Sequence, residues 1–456
     1  MKTFRTVLVA AGLLVVPLSL AAPSAGKPNI LLIVSDDQGY ADAGFQGSRD
    51  IPTPHLDRLA AAGIRFTNGY VTHPFCSPTR AGLLTGRYQQ RFGHERNPFY
   101  DPADAREGLP LAETLLPARL QPAGYVTGWI GKWHLGAAPE LRPGRRGFAE
   151  TFGFIGGGHR FLDWQANLAV EYTVPVERDG RPVEVREHLT AAFGREAAAF
   201  VRRHPQQPWF LYLAFNAPHT PHEPTAARLA QLAAIPDPMR RKYAAQVSLM
   251  DDAIGETLAA LRETGQDRRT LVFFFSDNGG PVGVNGSSNA PLRGAKGQVY
   301  EGGVRVPFLI SWPERLVGGR VDERPVSSLD VFATTLAAAG VPLPADRRYD
   351  GVNLLPHLAG EKPGAPHERL FWRNGSLMAV REGDWKLVRG AGPRDELYHL
   401  ASDVAEASDR AAGEPAVAAR LAAALDAWNR ELMAPAFQGT AGRAGKAKKA
   451  KSGPGQ

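Results

Sequence analysis

Cys76 is the only cysteine in 456 residues. A lone thiol cannot close an intramolecular disulfide or build a multi-thiolate zinc site. An unpaired cysteine is ordinarily a small buried hydrophobe, but its neighbours point to more. In Pro74-Phe75-Cys76-Ser77-Pro78-Thr79-Arg80-Ala81-Gly82-Leu83-Leu84-Thr85-Gly86-Arg87-Tyr88, Ser77, Pro78 and Thr79 are helix-start residues, and Ala81–Leu84 can form a first turn. That places Cys76 at a helix N-terminus beside a guanidinium, Arg80, where anions are held. Asp36-Asp37 and Asp277-Asn278-Gly279-Gly280 each close an apolar run. Either pair alone reads as a solvated turn. Together, three carboxylates and an amide are hard oxygen donors suited to Ca²⁺ or Mg²⁺ rather than zinc. Lys132 and His134, two apart, project to one side of an extended segment, which suits an anion and a proton transfer. His219 and His222 follow a third apolar run, in Asn216-Ala217-Pro218-His219-Thr220-Pro221-His222, where prolines hold the backbone extended. Lys296 is a mobile cation in the glycine-rich Leu292–Pro307, which lacks the Gly-Lys-Ser/Thr ending of a phosphate-cradling loop.

These stretches resemble the signatures of the type I sulfatases, in the alkaline phosphatase superfamily. The Cys76 run is similar to that family's Cys-x-Pro-Ser/Thr-Arg with a Leu-Thr-Gly-Arg tail, Thr79 being an accepted variant. Gly124-Tyr125-Val126-Thr127, followed by Gly131-Lys132-Trp133-His134-Leu135-Gly136, resembles the second signature. Pro218-His219-Thr220-Pro221 and Arg293-Gly294-Ala295-Lys296 with Glu301-Gly302-Gly303-Val304-Arg305-Val306-Pro307 match two further elements. The resemblance runs from about Pro28 to about Arg410; one departure is His399, where the family more often has Asp. It implies an exported sulfatase whose Cys76 is oxidised by a formylglycine-generating maturation enzyme, the hydrated aldehyde being the nucleophile. It implies Ca²⁺, with Mg²⁺ the lesser candidate, on Asp36, Asp37, Asp277, Asn278 and position 76. It further implies that Lys132, His219 and Lys296 bind sulfate, with His222 at the rim. Arg80 would orient the diol, Asp277 take the first proton, His219 or Lys296 protonate the leaving alcohol and His134 take the last proton.

The elements that must position these groups are legible. Asn29–Ser35, Trp209–Phe215 and Leu271–Ser276 are continuous apolar runs, as buried parallel strands are. Their carboxyl ends deliver the polar residues, where open α/β sheets place their sites. Helices are expected at Pro54–Ala62, Leu111–Gln121, Leu189–Arg203, Met239–Glu263 and Ser328–Ala339, the second shortened or kinked by Pro117 and Pro122. The alternation predicts an α/β fold with a large doubly wound, mixed or parallel sheet flanked by helices. After Tyr349 short strands appear at Leu377–Arg381, Trp385–Arg389 and Glu396–Leu400, then an Ala-rich helix over Glu414–Leu432. The expected division is a catalytic domain over 28–349, a smaller α+β subdomain over 350–438 and a disordered basic tail over 439–456.

Met1–Ala22 reads as a secretory signal, with basic Lys2 and Arg5, an apolar stretch interrupted by Pro17, and small residues at Ser19 and Ala21. The stretch is short for a bilayer span, so a periplasmic or secreted protein with no stable membrane anchor is expected. The net charge of +7 is terminal: Lys2, Arg5, Lys27, Arg443, Lys446, Lys448, Lys449 and Lys451 leave residues 28–438 at −1. A general nucleic-acid-binding surface is therefore not supported. The expected substrates are sulfated carbohydrates or aryl sulfates. A phosphodiesterase or phosphonate monoester hydrolase with the same nucleophile is the nearest alternative, since both ester classes carry one negative charge. A non-catalytic sulfated-glycan binder is the other. Specificity is expected from Gly156–Tyr172, which holds His159, Arg160, Asp163 and Trp164.

Overall fold

A computed structural model describes residues 26–162 and 172–440. The expected signal segment, Asp163, Trp164 and residues 441–456 lie outside the described residues. The strands are β1 (Asn29–Ser35), β2 (Ile64–Phe66), β3 (Gly69–Tyr70), β4 (Val126–Lys132), β5 (Glu150–Phe154), β6 (Glu177–Arg178), β7 (Arg181–Pro182), β8 (Trp209–Ala214), β9 (Thr270–Ser276), β10 (Phe308–Ser311), β11 (Arg320–Asp322), β12 (Val326–Ser327), β13 (Arg369–Asn374), β14 (Leu377–Glu382), β15 (Trp385–Arg389) and β16 (Glu396–His399). Ten of them form one mixed sheet in the order β11-β2-β10-β9-β1-β8-β4-β5-β6-β7. Its centre, β9-β1-β8-β4-β5, is parallel, and β10 and β6 join it antiparallel.

The continuous apolar runs have a simple cause. Alternate residues of β1 bury against opposite layers: Ile30, Leu32 and Val34 share a core with Phe273, Phe275 and Tyr212, while Leu31 and Ile33 share one with Phe274, Leu211 and Leu213. The helices Cys76–Thr85 and Asp330–Ala338 cover the first face. The helices Pro54–Ala61, Leu189–Arg203 and Pro238–Glu263 cover the second. The expected helix over Leu111–Gln121 is reduced to Leu116–Leu120, with Pro117 in its first turn. A short 3₁₀ turn with Pro122 follows it.

β13 to β16 form a second, antiparallel sheet in sequential order. Leu370 and Trp372 of β13 pack toward the large layer with Tyr70, Tyr300 and Val304. Val380 and Leu387 pack on the other side against Leu421, Leu425 and Trp428 of the helix Pro415–Arg430. β13 was not expected: its apolar Leu370, Phe371 and Trp372 are flanked by Arg369, Arg373 and Asn374, so no clean alternation shows. The described chain runs two residues into the stretch expected to be a disordered tail, and the Thr440 amide donates to Asn97 O at 3.0 Å.

A buried ion cluster ties the smaller sheet to Glu301, five residues after Lys296. Lys386 Nζ of β15 lies 2.8 Å from Glu301 Oε1 and 3.0 Å from Glu406 Oε1, all three side chains fully buried. Burial pushes Glu406 up to about 7, helped by Glu301. Burial would raise Glu301 as well, yet Lys386, Arg305 and Arg381 hold it at about 2. Replacing Lys386 by Met leaves two facing carboxylates without their ammonium. The expected loss is about 3–5 kcal/mol, read as a lower urea midpoint. An unchanged midpoint would show that the cluster contributes no net stability.

Candidate active site

β1 and β9 are parallel neighbours in register, with Ser35 opposite Ser276. The residues that follow, Asp36 and Asp277, therefore leave the sheet side by side. Asp37 takes a left-handed backbone conformation, φ 64°. Its amide lies 3.3 Å from Asp277 Oδ1, and Asn278 Nδ2 donates to Asp37 Oδ1 at 2.7 Å. Oxygens of Asp36, Asp37 and Asp277 lie with Cys76 Sγ within 4.8 Å of one another, and all four residues are buried.

Cys76 begins the helix Cys76–Thr85, with extended Phe75 before it. Its Sγ lies 3.3 Å from Asp36 Oδ1 and 3.3 Å from Lys296 Nζ. Lys132, the last residue of β4, donates to Asp36 Oδ2 at 2.6 Å. Arg80, one turn into the helix, clamps Asp277 Oδ2 through Nε at 3.0 Å and through its terminal amine at 2.7 Å. Lys296 Nζ also lies 2.6 Å from Asp37 Oδ1. The Lys296 loop can fold this tightly because Gly302 and Gly303 lack side chains. A Cβ there would lie 2.4 Å from Gly294 O and 1.8 Å from Gln298 O.

His219 Nδ1 donates to Thr220 O at 2.6 Å, which leaves Nε2 facing Asp37 Oδ2 at 3.6 Å. His222 turns back on its own loop, with Nε2 3.1 Å from Pro218 O and its ring against Tyr243. The route to His134 differs from expectation. β4 ends at Lys132, and His134 is left-handed at φ 58°, its amide donating to Ile155 O at 3.1 Å. The two side chains thus do not alternate along one strand. His134 is nevertheless buried within the electrostatic reach of Lys132 and Arg80, and a Cβ on Gly157 would come within 2.6 Å of its Nε2. His159 and Arg160 sit apart: His159 bonds the Arg160 and Val174 carbonyls, and Arg160 pairs with Glu223.

The electrostatics follow from burial and charge placement. Burial pushes Asp277 up to about 6, reinforced by Asp36. Burial also opposes ionisation of Asp36, but Lys132, His219, Arg80 and Lys296 outweigh it and hold that carboxyl far below the usual range. The Cys76 thiol is pushed well up by burial, then by Asp277 and Asp36. Burial disfavours the ammonium of Lys296, yet the Asp37 carboxylate keeps it charged. Burial lowers both His134 and His219, so both rings are neutral near pH 7, available as proton acceptors.

Asn278 Oδ1 is buried with no hydrogen-bond partner. An orphaned amide oxygen beside three carboxylates fits a hard cation. Three cations, Lys132, Lys296 and Arg80, face three carboxylates, so added positive charge would favour an anionic ligand. Sequence reasoning missed Tyr212, whose hydroxyl lies 3.3 Å from a terminal Arg80 amine, because it sits inside an apolar strand. It also missed Ser77 Oγ, which donates to His134 O at 2.6 Å and lies 2.7 Å from His94 Nε2, and Asn97, whose Oδ1 accepts from Ser77 N at 3.2 Å. No periodicity signals such single polar contacts.

A buried constellation of cations and carboxylates at the carboxyl ends of parallel strands, closed by a helix N-terminus, marks an enzyme that handles compact anions. The Sulfatase family model matches residues 28–341, and the chain belongs to that family of sulfate ester hydrolases. It is 38% identical over 382 residues to human (Homo sapiens) N-acetylgalactosamine-6-sulfatase, covering 79% of this chain and 71% of that one. It is 35% identical over 444 residues to the steryl-sulfatase of Mus musculus, covering 79% and 70%. Among solved structures, Ps i-CgsB in complex with k-i-k-neocarrahexaose superposes with a TM-score of 0.87 at 34% identity, covering 94% of this chain and 98% of that one.

Wherever position 76 carries a thiol, burial and two carboxylates keep it protonated and out of reach. Its alkylation by iodoacetamide is expected to be at least ~100-fold slower in the native protein than in urea. Equal rates would contradict the buried placement.

Proposed function

We propose that the protein is an exported sulfatase acting on sulfated carbohydrates through a formylglycine made from Cys76, with bound calcium. The observation that carries this reading is the sulfur at a helix N-terminus, 3.3 Å from both a carboxylate and an ammonium. The family membership supports the ester class. The carbohydrate reading rests on relatives: one is named for N-acetylgalactosamine-6-sulfate chemistry, and another was solved with neocarrahexaose. Asp36, Asp37, Asp277 and Asn278 Oδ1, with a hydroxyl at position 76, would hold the calcium, which supplies positive charge to the sulfate oxygens.

The hydrated aldehyde puts two hydroxyls on one carbon: one bonds to sulfur, and the other later expels the sulfate. Asp277, raised toward 6 and steadied by Arg80 on Oδ2, takes the proton of the attacking hydroxyl. Lys132 and Lys296 hold the sulfate oxygens and balance charge as the bond from sulfur to the alcohol oxygen breaks. Lys296, whose ammonium Asp37 keeps charged, delivers a proton to that leaving oxygen, while neutral His219, held through Nδ1, turns Nε2 toward the site. His134 then takes the proton of the second hydroxyl, the carbon–oxygen bond to sulfate breaks, and the aldehyde is restored. His222, bonded to Pro218 O in the same loop, is assigned to the rim in this reading.

Peptide mass spectrometry of protein from its native host should find Cys76 with its thiol sulfur replaced by an aldehyde oxygen; an intact thiol would sink this mechanism. Across sulfated oligosaccharides, an aryl sulfate and a phosphonate ester, turnover is expected on the sulfates. Hydrolysis of the phosphonate alone would replace the sulfatase reading with its phosphorus counterpart. Asp36→Ala and Asp277→Ala should each lose calcium, measured by elemental analysis, together with at least ~10³-fold in kcat/KM. Retained calcium in both variants would remove these residues from the metal site.

A further inference from the structure

A cleft of about 490 Å³ opens beside the nucleophile's helix, lined by Phe75, Glu95, Arg96, Asn97, Asn374 and Gln438, among others. Two of its walls adjoin the start of the helix that begins at Cys76. Phe75 immediately precedes Cys76, and Asn97 Oδ1 accepts from Ser77 N at 3.2 Å. Across the cleft, Asn374 Nδ2 donates to Gly297 O at 2.9 Å, one residue from Lys296, and Gly297 N donates to Pro74 O at 2.9 Å. The outer rim is built by the C-terminal segment, which runs along residues 90–97 through Met433 N to Gln90 O, Ala436 N to Gly93 O and Thr440 N to Asn97 O, at 2.9–3.0 Å.

The cleft is far larger than one sulfate, and its volume is that of a small-molecule site. Its chemistry is specific. Phe75 offers a half-buried ring for the apolar face of a pyranose, and Asn374 and Gln438 offer amides for hydroxyls. Glu95 contributes no free charge, because Arg373 holds it through bonds of 2.7–3.1 Å. Arg96 is different. Its guanidinium donates only to Gln438 O and Oε1, each at 3.1 Å, and it has no carboxylate partner among the described residues. The cleft therefore presents one cation without a carboxylate partner among the described residues, in a wall shared with Phe75, the residue before Cys76.

We propose that this cleft is a subsite for the sugar adjoining the one that carries the scissile sulfate, and that Arg96 selects an anionic group, a sulfate or carboxylate, on that neighbour. The inference rests on the sulfated-carbohydrate reading above. It assigns the C-terminal segment a role in substrate choice, through Gln438 and the rim.

The test compares p-nitrophenyl sulfate with sulfated galactan mono-, di- and tetrasaccharides, using full-length protein and its Arg96→Ala and Arg96→Lys variants. Arg96→Ala should raise KM about tenfold on the di- and tetrasaccharides, with kcat kept, while p-nitrophenyl sulfate turnover stays within about twofold. Arg96→Lys should recover part of the loss. An equal change on every substrate, or none on any, overturns the subsite. Calorimetric binding of the same oligosaccharides to Cys76→Ser protein, with and without Arg96→Ala, reads the cleft independently of turnover. No turnover of any sulfate by the wild type would count against the sulfatase reading. Binding unchanged by Arg96→Ala would count against the cleft.

Discussion

Three carboxylates packed around one sulfur are the arrangement on which this architecture turns. Left alone, Asp36, Asp37 and Asp277 would repel one another in a buried site, so at least one would stay protonated. The fold answers by aiming three cations from three separate elements. Lys132 comes from the end of β4, Arg80 from the first turn of the helix Cys76–Thr85, and Lys296 from the loop before Glu301. Each has a definite carboxylate partner, and each would be costly to bury without it. The in-register pairing of β1 with β9 is what makes the cluster possible, because it brings Asp36 and Asp277 off the sheet together. The strain at Asp37 is part of the same solution: its left-handed turn directs an amide at Asp277 and a side chain at Lys296.

The smaller sheet serves that cluster from a distance. Trp372 Nε1 donates to Val71 O at 2.7 Å, upstream of Cys76, and Asn374 holds Gly297 O beside Lys296. Lys386 fixes Glu301, from which the glycine-rich turn carrying Lys296 is suspended. Tyr70 adds a bond of 2.6 Å to the same Glu301 carboxylate. The C-terminal layer thus braces both the segment leading to Cys76 and the loop that carries Lys296. A second domain merely tethered to the first would leave Lys296 free to drift, and a flexible ammonium is a poor template for an oxyanion.

Much of this could be read from residue order. Continuous apolar runs were informative because β1, β8 and β9 are buried on both faces, and polar residues at their ends stood out by contrast. Motif resemblance then supplied Lys132, His134, His219 and Lys296, which the sheet gathers, although His134 arrives through a left-handed turn rather than a strand. What escaped was whatever depends on a single tertiary contact. Tyr212 looks like any strand aromatic until Arg80 is found against its hydroxyl. β13 alternates too poorly to announce itself, and nothing in the local pattern of β15 shows that Lys386 is fully buried against Glu301. Distant pairs of this kind leave no local period, since their partners lie some 85 to 130 residues away.

Exposure divides the site into parts with different duties. Cys76, Arg80, Lys132 and Asp36 are essentially sealed, whereas Lys296 and His219 keep 15% and 13% of their side chains open. Only the end of a ligand can reach the sealed part, and there a sulfate ester and a phosphodiester present the same single charge. The deep residues can recognise a tetrahedral anion but not the body attached to it. On the reading proposed above, discrimination falls to the rim, where Arg96, Asn374 and Gln438 line a cleft of about 490 Å³. The same division explains why the chemistry is legible in short motifs while the preference is not. Reacting groups must match one small anion, whereas the rim must match a larger partner whose shape the motifs do not encode.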